Sequence, residues 1–170
     1  MIALQFIDIK DFMYQFLCTD LFDQFLLQEA AITTYVTHSI EGRLHLDFFP
    51  NDTVDAERRE ALAKEGLIPF SMVRPLCFDL IKGKQSPLSF KFIFQLSSEN
   101  QMRTLKKAGT GFSSEDVSAM LIQLKYYDKK LQCTTGISYR NFFLDKTLEY
   151  EWDRLVQIFF KNHKIPFEIL

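Results

Sequence analysis

The sequence predicts an α+β fold: two β-α-β-β units that form a mainly antiparallel sheet, followed by a C-terminal amphipathic helix. Two segments, one at the start of the chain and one from residue 89, run from alternating apolar residues into a helix start. Each segment then continues into a hairpin pattern, at nearly the same spacing from its first strand. A third segment, near the C-terminus, repeats its apolar residues with the period of a helix.

The first unit opens with a strand over residues 2–6, in which every second residue is apolar. Asp8 then caps a helix. Residues 28–40 predict the next strand, which returns as residues 43–49. The turn between them is placed at Glu41-Gly42, because a glycine in a two-residue turn suits a tight hairpin. The apolar stripe of the helix consists of Ile9, Phe12, Met13, Phe16 and Leu17.

The second unit repeats this order. Its first strand alternates apolar residues from Phe90 to Leu96, and Ser98 with Gln101 has the spacing of a capping box. The hairpin that follows turns at residues 128–130. Both returning strands end near a Phe-Phe pair. The matched spacing predicts an internal duplication, residues 1–50 and 88–145, and convergence on a common α+β pattern is the alternative.

The remaining segments predict a helical connector, residues 51–87, and the C-terminal helix, residues 145–163. Within the connector, residues 53–65 predict an exposed helix, and Pro75 to Lys82 predicts a short buried helix that starts at the proline. Asp145 caps the last helix. Its stripe consists of Leu148, Trp152, Leu155, Val156 and Phe159. We expect the chain, residues 1–170, to form a single domain.

The composition limits the function classes. The net charge of −2 gives no global basic field for nucleic acid or anionic membranes, so nucleic-acid binding is disfavoured. The 18 phenylalanines supply a large core and leave some rings for an interaction surface. Three cysteines without a CxxC spacing argue against a disulfide framework and a zinc ribbon. With no signal-peptide pattern and no membrane-length apolar run, we expect a reduced cytoplasmic protein.

Three stretches carry a resemblance to known proteins: FDQFLLQEAAITTYVTHSIEGRL, LIKGKQSPLSFKFIFQLS and LQCTTGISYRNFFLDKTLEYEWD. Across nearly the whole chain, the sequence resembles a family of uncharacterised bacterial proteins of similar length from anaerobic Firmicutes. The resemblance implies a single architecture of unknown function. It therefore assigns no activity and no site residues.

A metal site is one hypothesis. With a two-residue turn at Glu41-Gly42, His38 would lie directly opposite His45, and Asp47 would share their face. Cross-strand Cβ atoms are about 4.5–5.5 Å apart, close enough for two imidazoles to share a divalent metal. This predicts a metal-binding protein or an enzyme at the hairpin. The alternatives are solvated polar side chains on an exposed face, or a three-residue turn that would separate the pair.

Two further polar patterns suggest ligands. Gly136 inside a strand often marks a bulge or a close backbone approach, and Thr134, Thr135 and Arg140 beside it offer donors to an anion. An ordinary strand with one polar face is the alternative. A nucleic-acid binder with a clamp-like fold is suggested by analogy, since sliding-clamp domains also repeat β-α-β units. Its phosphate contacts would be Arg103, Lys106, Lys107, Lys129 and Lys130.

No catalytic motif is present: the chain has neither a GxSxG elbow nor an HExxH helix. We therefore expect a non-catalytic binding or interaction module without a cofactor, whose partner is another protein or a second copy of the chain. The predicted contact residues lie off the last helical stripe or next to a hairpin end. They are Phe49, Tyr150, Ile158 and Phe160.

Overall fold

The alternating apolar residues form the strands of one sheet in the computed structural model, which describes residues 1–50 and 54–170. The predicted α+β class is confirmed, with a C-terminal helix. The strands of the described ranges are β1 (Ala3–Phe6), β2 (Phe25–Thr33), β3 (Thr37–Glu41), β4 (Ile68–Pro69), β5 (Ser89–Leu96), β6 (Val117–Tyr127), β7 (Lys130–Tyr139) and β8 (Phe167–Ile169). The helices there are α1 (Ile9–Cys18), α2 (Ala56–Glu65), α3 (Phe70–Ile81), α4 (Ser98–Ala108) and α5 (Thr147–Asn162).

The strand order is β3-β2-β5-β6-β7-β1-β8, and β4 pairs with β2. Every pairing among the described strands is antiparallel. The order β-α-β-β occurs twice, as β1-α1-β2-β3 and as β5-α4-β6-β7. The two units pair differently, because β5 lies beside β6 of its own unit, whereas β1 lies beside β7 and β8. A common origin of the units remains a prediction.

The core consists largely of phenylalanine rings between one face of the sheet and the helices. Phe92 and Phe94 point from β5 toward α1, where the ring of Phe16 contacts them at centroid distances of 5.1 and 6.0 Å. Phe70 at the start of α3 stacks on Phe16 at 5.1 Å. Alternate positions of β5 and β6 hold exposed or half-buried polar residues such as Lys91, so the opposite face is much more polar.

The first hairpin differs from the predicted one. Its turn lies at residues 34–36, where the amide of Thr34 donates to the carbonyl of Val36 (3.0 Å). The predicted turn at Glu41-Gly42 is therefore wrong. Gly42 instead lies against the backbone of β2: its amide donates to the carbonyl of Gln28 (2.7 Å), beside a bulge in that strand. A Cβ at this position would lie 1.7 Å from the carbonyl oxygen of Leu27, so the glycine is needed for a close approach.

The second hairpin turns within the predicted residues 128–130, but with two turn residues instead of three. Tyr127 pairs with Lys130, which leaves Asp128 and Lys129 as a two-residue turn. Both have positive φ, 49° and 58°, the conformation of a type I′ turn. The turn therefore has the right geometry although neither residue is a glycine.

The connector agrees with the prediction in part. Positions 51–53, which include the first residue of the helix predicted over 53–65, lie outside the described residues. The helix α2 begins at Ala56, runs to Glu65 and is capped by Gly66, whose φ is 70°. The helix predicted from Pro75 to Lys82 begins earlier, at Phe70, so Pro75 lies inside α3 and not at its start. The final helix is confirmed, whereas β8 after it was not predicted.

Candidate binding groove

The three predicted metal ligands lie on different local structures. His38 is in β3, opposite Ile32 of β2, whereas His45 precedes the 3-10 turn Leu46–Phe48 that contains Asp47. The hairpin that would have placed the histidines opposite each other does not form. Among the described residues, no group of three or more His, Cys, Asp or Glu side chains is placed to hold a metal ion.

The predicted anion ligands do not converge either. Thr134 and Thr135 are adjacent in β7, so their side chains point to opposite faces of the sheet. Thr135 is buried, and its hydroxyl donates to the carboxylate of Asp153 and accepts from the amide of Ile2 (2.9 Å). Arg140 is exposed just beyond the end of the strand. The hydroxyl of Thr135 therefore has a structural role in joining β7 to α5.

The predicted contact residues differ in exposure. Phe160 is 0% exposed, and its ring packs against Phe6 at a centroid distance of 5.0 Å, so its assignment to an interaction surface is wrong. The segment after α5 folds back and covers it, since the amide of Ile165 donates to the carbonyl of Phe160 (3.0 Å). Tyr150 is 68% exposed, and Ile158 is half-buried.

The Phe-Phe pairs at the ends of the two predicted hairpins share one feature. In each pair the first ring is exposed, 83% for Phe48 and 87% for Phe142. The second ring is half-buried: Phe49 packs against its neighbour, and Phe143 packs against Phe112 at 5.2 Å. The exposed ring of the first pair is therefore Phe48 and not the predicted Phe49.

A groove between α4 and α5 is the site that sequence reasoning missed. It has a volume of about 560 Å³, within the range of roughly 300–1,000 Å³ that is usual for ligand sites. Its floor is apolar and comes from the α1–β2 connection and the sheet: Leu21, Phe25, Leu96 and Ile122. We call this cavity the α4–α5 groove.

Two helical faces form its walls. On α4 the lining residues recur at i, i+3, i+4 and i+7, which is one face of a helix: Asn100, Arg103, Thr104 and Lys107. The facing wall is mostly apolar: Trp152, Leu155, Val156, Phe159 and His163. The α4 wall is about 10 Å long, at 1.5 Å per residue. The groove thus has the shape of a short trench between two helices.

The charges of the groove are unevenly distributed. Arg103 pairs with Glu99, whereas Lys107 has no ion-pair partner in the part of the chain that the structure describes. The Nδ1 atom of His163 donates to the carbonyl of Phe159 (2.8 Å), because a carbonyl only accepts. Asp20 is the acidic residue of the lining. The α4 side of the rim is therefore the basic side, above an apolar floor.

The cations proposed for nucleic acid lie in two places. Arg103 and Lys107 line the α4–α5 groove, whereas Lys129 is in the turn between β6 and β7. That turn adjoins the start of β5, at Ser89, and α4 follows the end of the same strand. The strand β5 extends about 23 Å from Ser89 to Leu96. The lysines of the turn and the cations of α4 therefore lie near opposite ends of β5, and the five predicted residues do not form one patch.

The fold and the groove together define an α+β protein with one antiparallel sheet and a cavity on its helical side. A protein-family model described as "Family of unknown function (DUF5721)" matches residues 15–168. The chain belongs to this family. No curated protein and no solved structure matches the chain. None of the described helices has the length and apolar character needed to cross a membrane.

Proposed function

We propose that this protein is a non-catalytic interaction module that binds an acidic, partly apolar segment of a partner protein in the α4–α5 groove. The observation that carries the proposal is an apolar floor with Lys107 on the rim, a cation that has no ion-pair partner among the described residues. Apolar anchors supply most of the affinity in such grooves, and rim charges select the partner and speed its association.

The shape of the groove supports a protein segment as the ligand. Its walls are two helical faces, and the α4 wall is about 10 Å long, which matches two turns of a bound helix. Amphipathic helices bind in such grooves through apolar residues at i, i+3, i+4 and i+7. Acidic residues on the rim of the bound helix would face Arg103 and Lys107.

We place this binding in the cytoplasm of a bacterium. The resemblance to proteins of anaerobic Firmicutes supports the bacterial source. Three free cysteines, two of them buried, are consistent with a reducing compartment.

The proposal is tested by selecting peptides from a display library against the immobilised protein. Thr104→Phe fills the groove from the α4 wall, and the matched control Met102→Phe changes an exposed residue of the same helix that lies outside the groove. We expect the selected peptides to be acidic and amphipathic, and to lose binding to Thr104→Phe but not to Met102→Phe. Binding is also expected to change the fluorescence of Trp152, the single tryptophan, which lines the groove.

The charge requirement has its own matched pair. Lys107→Glu reverses a charge on the rim, whereas Lys106→Glu makes the same change one residue away, at an exposed position outside the groove. We expect roughly a two- to tenfold loss of affinity for the first variant and little change for the second. Equal losses in both variants, or selected peptides that are basic, would contradict the proposal.

A further inference from the structure

A second cavity lies on the same side of the sheet, between α1 and the C-terminal end of α3. Its volume is about 540 Å³, and residues 82–87 close one side of it. Apolar side chains from α1, α3 and the sheet form most of its floor: Ile9, Met13, Leu17, Ile81, Phe90 and Tyr126. We call this cavity the α1–α3 cleft.

Lysines surround this apolar floor. Lys10, Lys82, Lys84 and Lys129 line the cleft, and its lining within residues 1–50 and 54–170 contains no aspartate or glutamate. Lys82 is compensated by Asp79, at 2.7 Å. In the described ranges the other three lysines have no ion-pair partner. An apolar cavity with uncompensated positive charge from three separate elements is complementary to an organic anion.

Lys10 and Lys129 lie at one end of the cleft, and the apolar surface extends from that end along α1. Gln5 lies opposite Gln132, which places the start of α1 at the same end of the sheet as the turn that carries Lys129. Lys10, in the first turn of α1, is at that end. From that end of the helix, an apolar stripe runs along α1 toward Cys18, the last residue of α1. The stripe consists of residues at i, i+4 and i+8: Ile9, Met13 and Leu17. The stripe is about 12 Å long, so it fits an extended chain better than a compact ring.

We propose that the α1–α3 cleft binds a fatty carboxylate. The carboxylate lies between Lys10 and Lys129, and the chain follows Met13 toward Cys18. Met13 suits a flexible chain, because its unbranched thioether adapts to irregular apolar surfaces. This site is separate from the α4–α5 groove and does not depend on the function proposed for that groove.

Cys18 reports on occupancy of the cleft. Its side chain is exposed and lines the far end of the apolar stripe, whereas Cys77 and Cys133 are buried. Burial raises the pKa of the Cys77 thiol to about 12, and it also raises the pKa of Cys133. Neutral iodoacetamide should therefore alkylate Cys18 alone in the folded protein, and intact mass measures the rate.

The experiment compares the rate of Cys18 alkylation with three additives, each kept below the concentration at which it forms micelles. Dodecanoate has a chain longer than the stripe, and we expect it to slow alkylation at least fivefold at saturation. Butanoate is too short to reach Cys18, and dodecyltrimethylammonium carries the same chain with a positive charge, so both should leave the rate unchanged. Protection by butanoate, equal protection by the cation, or no protection by dodecanoate would overturn the proposal.

A pair of double variants tests the lysines. Lys10→Gln with Lys129→Gln removes the two cations between which the carboxylate lies, and we expect it to weaken dodecanoate binding roughly three- to tenfold in a calorimetric titration. Lys106→Gln with Lys125→Gln removes the same charge from exposed positions outside the cleft and should change the affinity less than twofold. Equal effects in the two double variants would show that the rim lysines do not hold the carboxylate. Unchanged Trp152 fluorescence on saturation is expected, because Trp152 lies in the other cavity.

Discussion

Replacing Gly42 with alanine tests the corrected hairpin most directly. In the structure an added Cβ would lie 1.7 Å from the carbonyl oxygen of Leu27 and 2.6 Å from its carbonyl carbon. Both atoms belong to the backbone of β2, so rotation of a side chain cannot relieve the clash. Either the segment that contains Gly42 or the bulged part of β2 must therefore move.

The expected cost follows from what this movement breaks. Forcing a methyl group into a close-packed site costs about 1–3 kcal/mol. Moving Gly42 away from β2 also weakens two hydrogen bonds: its amide donates to Gln28 (2.7 Å), and its carbonyl accepts from Ile68 (2.8 Å). Each contributes about 1 kcal/mol, so the sum is roughly 3–5 kcal/mol. In the predicted two-residue turn, the same substitution would cost only about 1–2 kcal/mol, the penalty of a left-handed conformation for alanine.

Urea unfolding followed by Trp152 fluorescence and by circular dichroism measures this difference. Gly136→Ala is the matched control, because the nearest heavy atom to an added Cβ there is the Cβ of Leu121, at 3.9 Å, and the strand conformation suits alanine. We expect Gly136→Ala to change the free energy of unfolding by less than about 0.5 kcal/mol. A loss below about 2 kcal/mol in Gly42→Ala, or equal losses in both variants, would refute the reasoning.

Three other outcomes are expected from the same unfolding assay. Lys129→Gly should raise the free energy of unfolding by about 1 kcal/mol, because glycine adopts the positive φ of this turn without strain, and Lys129→Ala should give no such gain. Phe160→Ala should lower it by about 3–5 kcal/mol, as for a fully buried ring, whereas Tyr150→Ala should change it by less than about 0.5 kcal/mol. Burial raises the pKa of Cys77 from 9.0 to about 12, so its contribution to stability is complete below pH 9 and is lost as the pH rises toward 12. Cys77→Ala should therefore show a flatter decline of stability over that range, and an unchanged slope would contradict the assignment.

The elements that were predicted correctly carry several agreeing signals. In β5 every second residue from Phe90 to Leu96 is apolar and buried, whereas Ile93, on the other face, is half-buried. In α5 the stripe, the acidic first turn and the lysine in the last turn all favour one helix. Local preference and tertiary burial favour the same structure at these places, so the pattern is sufficient.

The first hairpin was predicted wrongly because two local signals competed. Residues 34–36, Thr-Tyr-Val, have high β propensity and contain no glycine, proline or asparagine, so they resemble the interior of a strand. Glu41-Gly42 resembles a turn. The structure reverses both assignments: a hydrogen bond between the hydroxyls of Thr33 and Thr37 (2.9 Å) closes the real turn, and Gly42 is needed where two backbone segments meet. A single sequence does not distinguish these two uses of glycine.

The helical period of the apolar residues also predicts the wrong exposure for one residue of α4 and one residue of α5. By helical period Met102 and Leu105 would begin an apolar stripe on α4, yet Met102 is exposed, and the residues buried in this helix are Gln101 and Leu105. The side-chain amide of Gln101 donates to the carbonyl of Val117 (3.0 Å), which offsets the cost of burying it. Phe160 lies off the main stripe of α5 but is buried because the segment leading to β8 folds over it. Both errors arise from contacts with segments distant in sequence or from an element that the pattern did not reveal.

The two cavities illustrate what periodicity leaves undetermined. The spacing of Asn100, Arg103, Thr104 and Lys107 shows that these residues share a face of α4, and this signal was present in the sequence. It does not determine how far α4 stands from α5, because that distance depends on the side chains where the two helices and the sheet meet. Had the helices packed closely, the same residues would border a solvated surface without a groove. Core residues such as Phe25 and Leu96 form the floor between the two walls, so the groove depends on how the core packs and not on any motif in its walls.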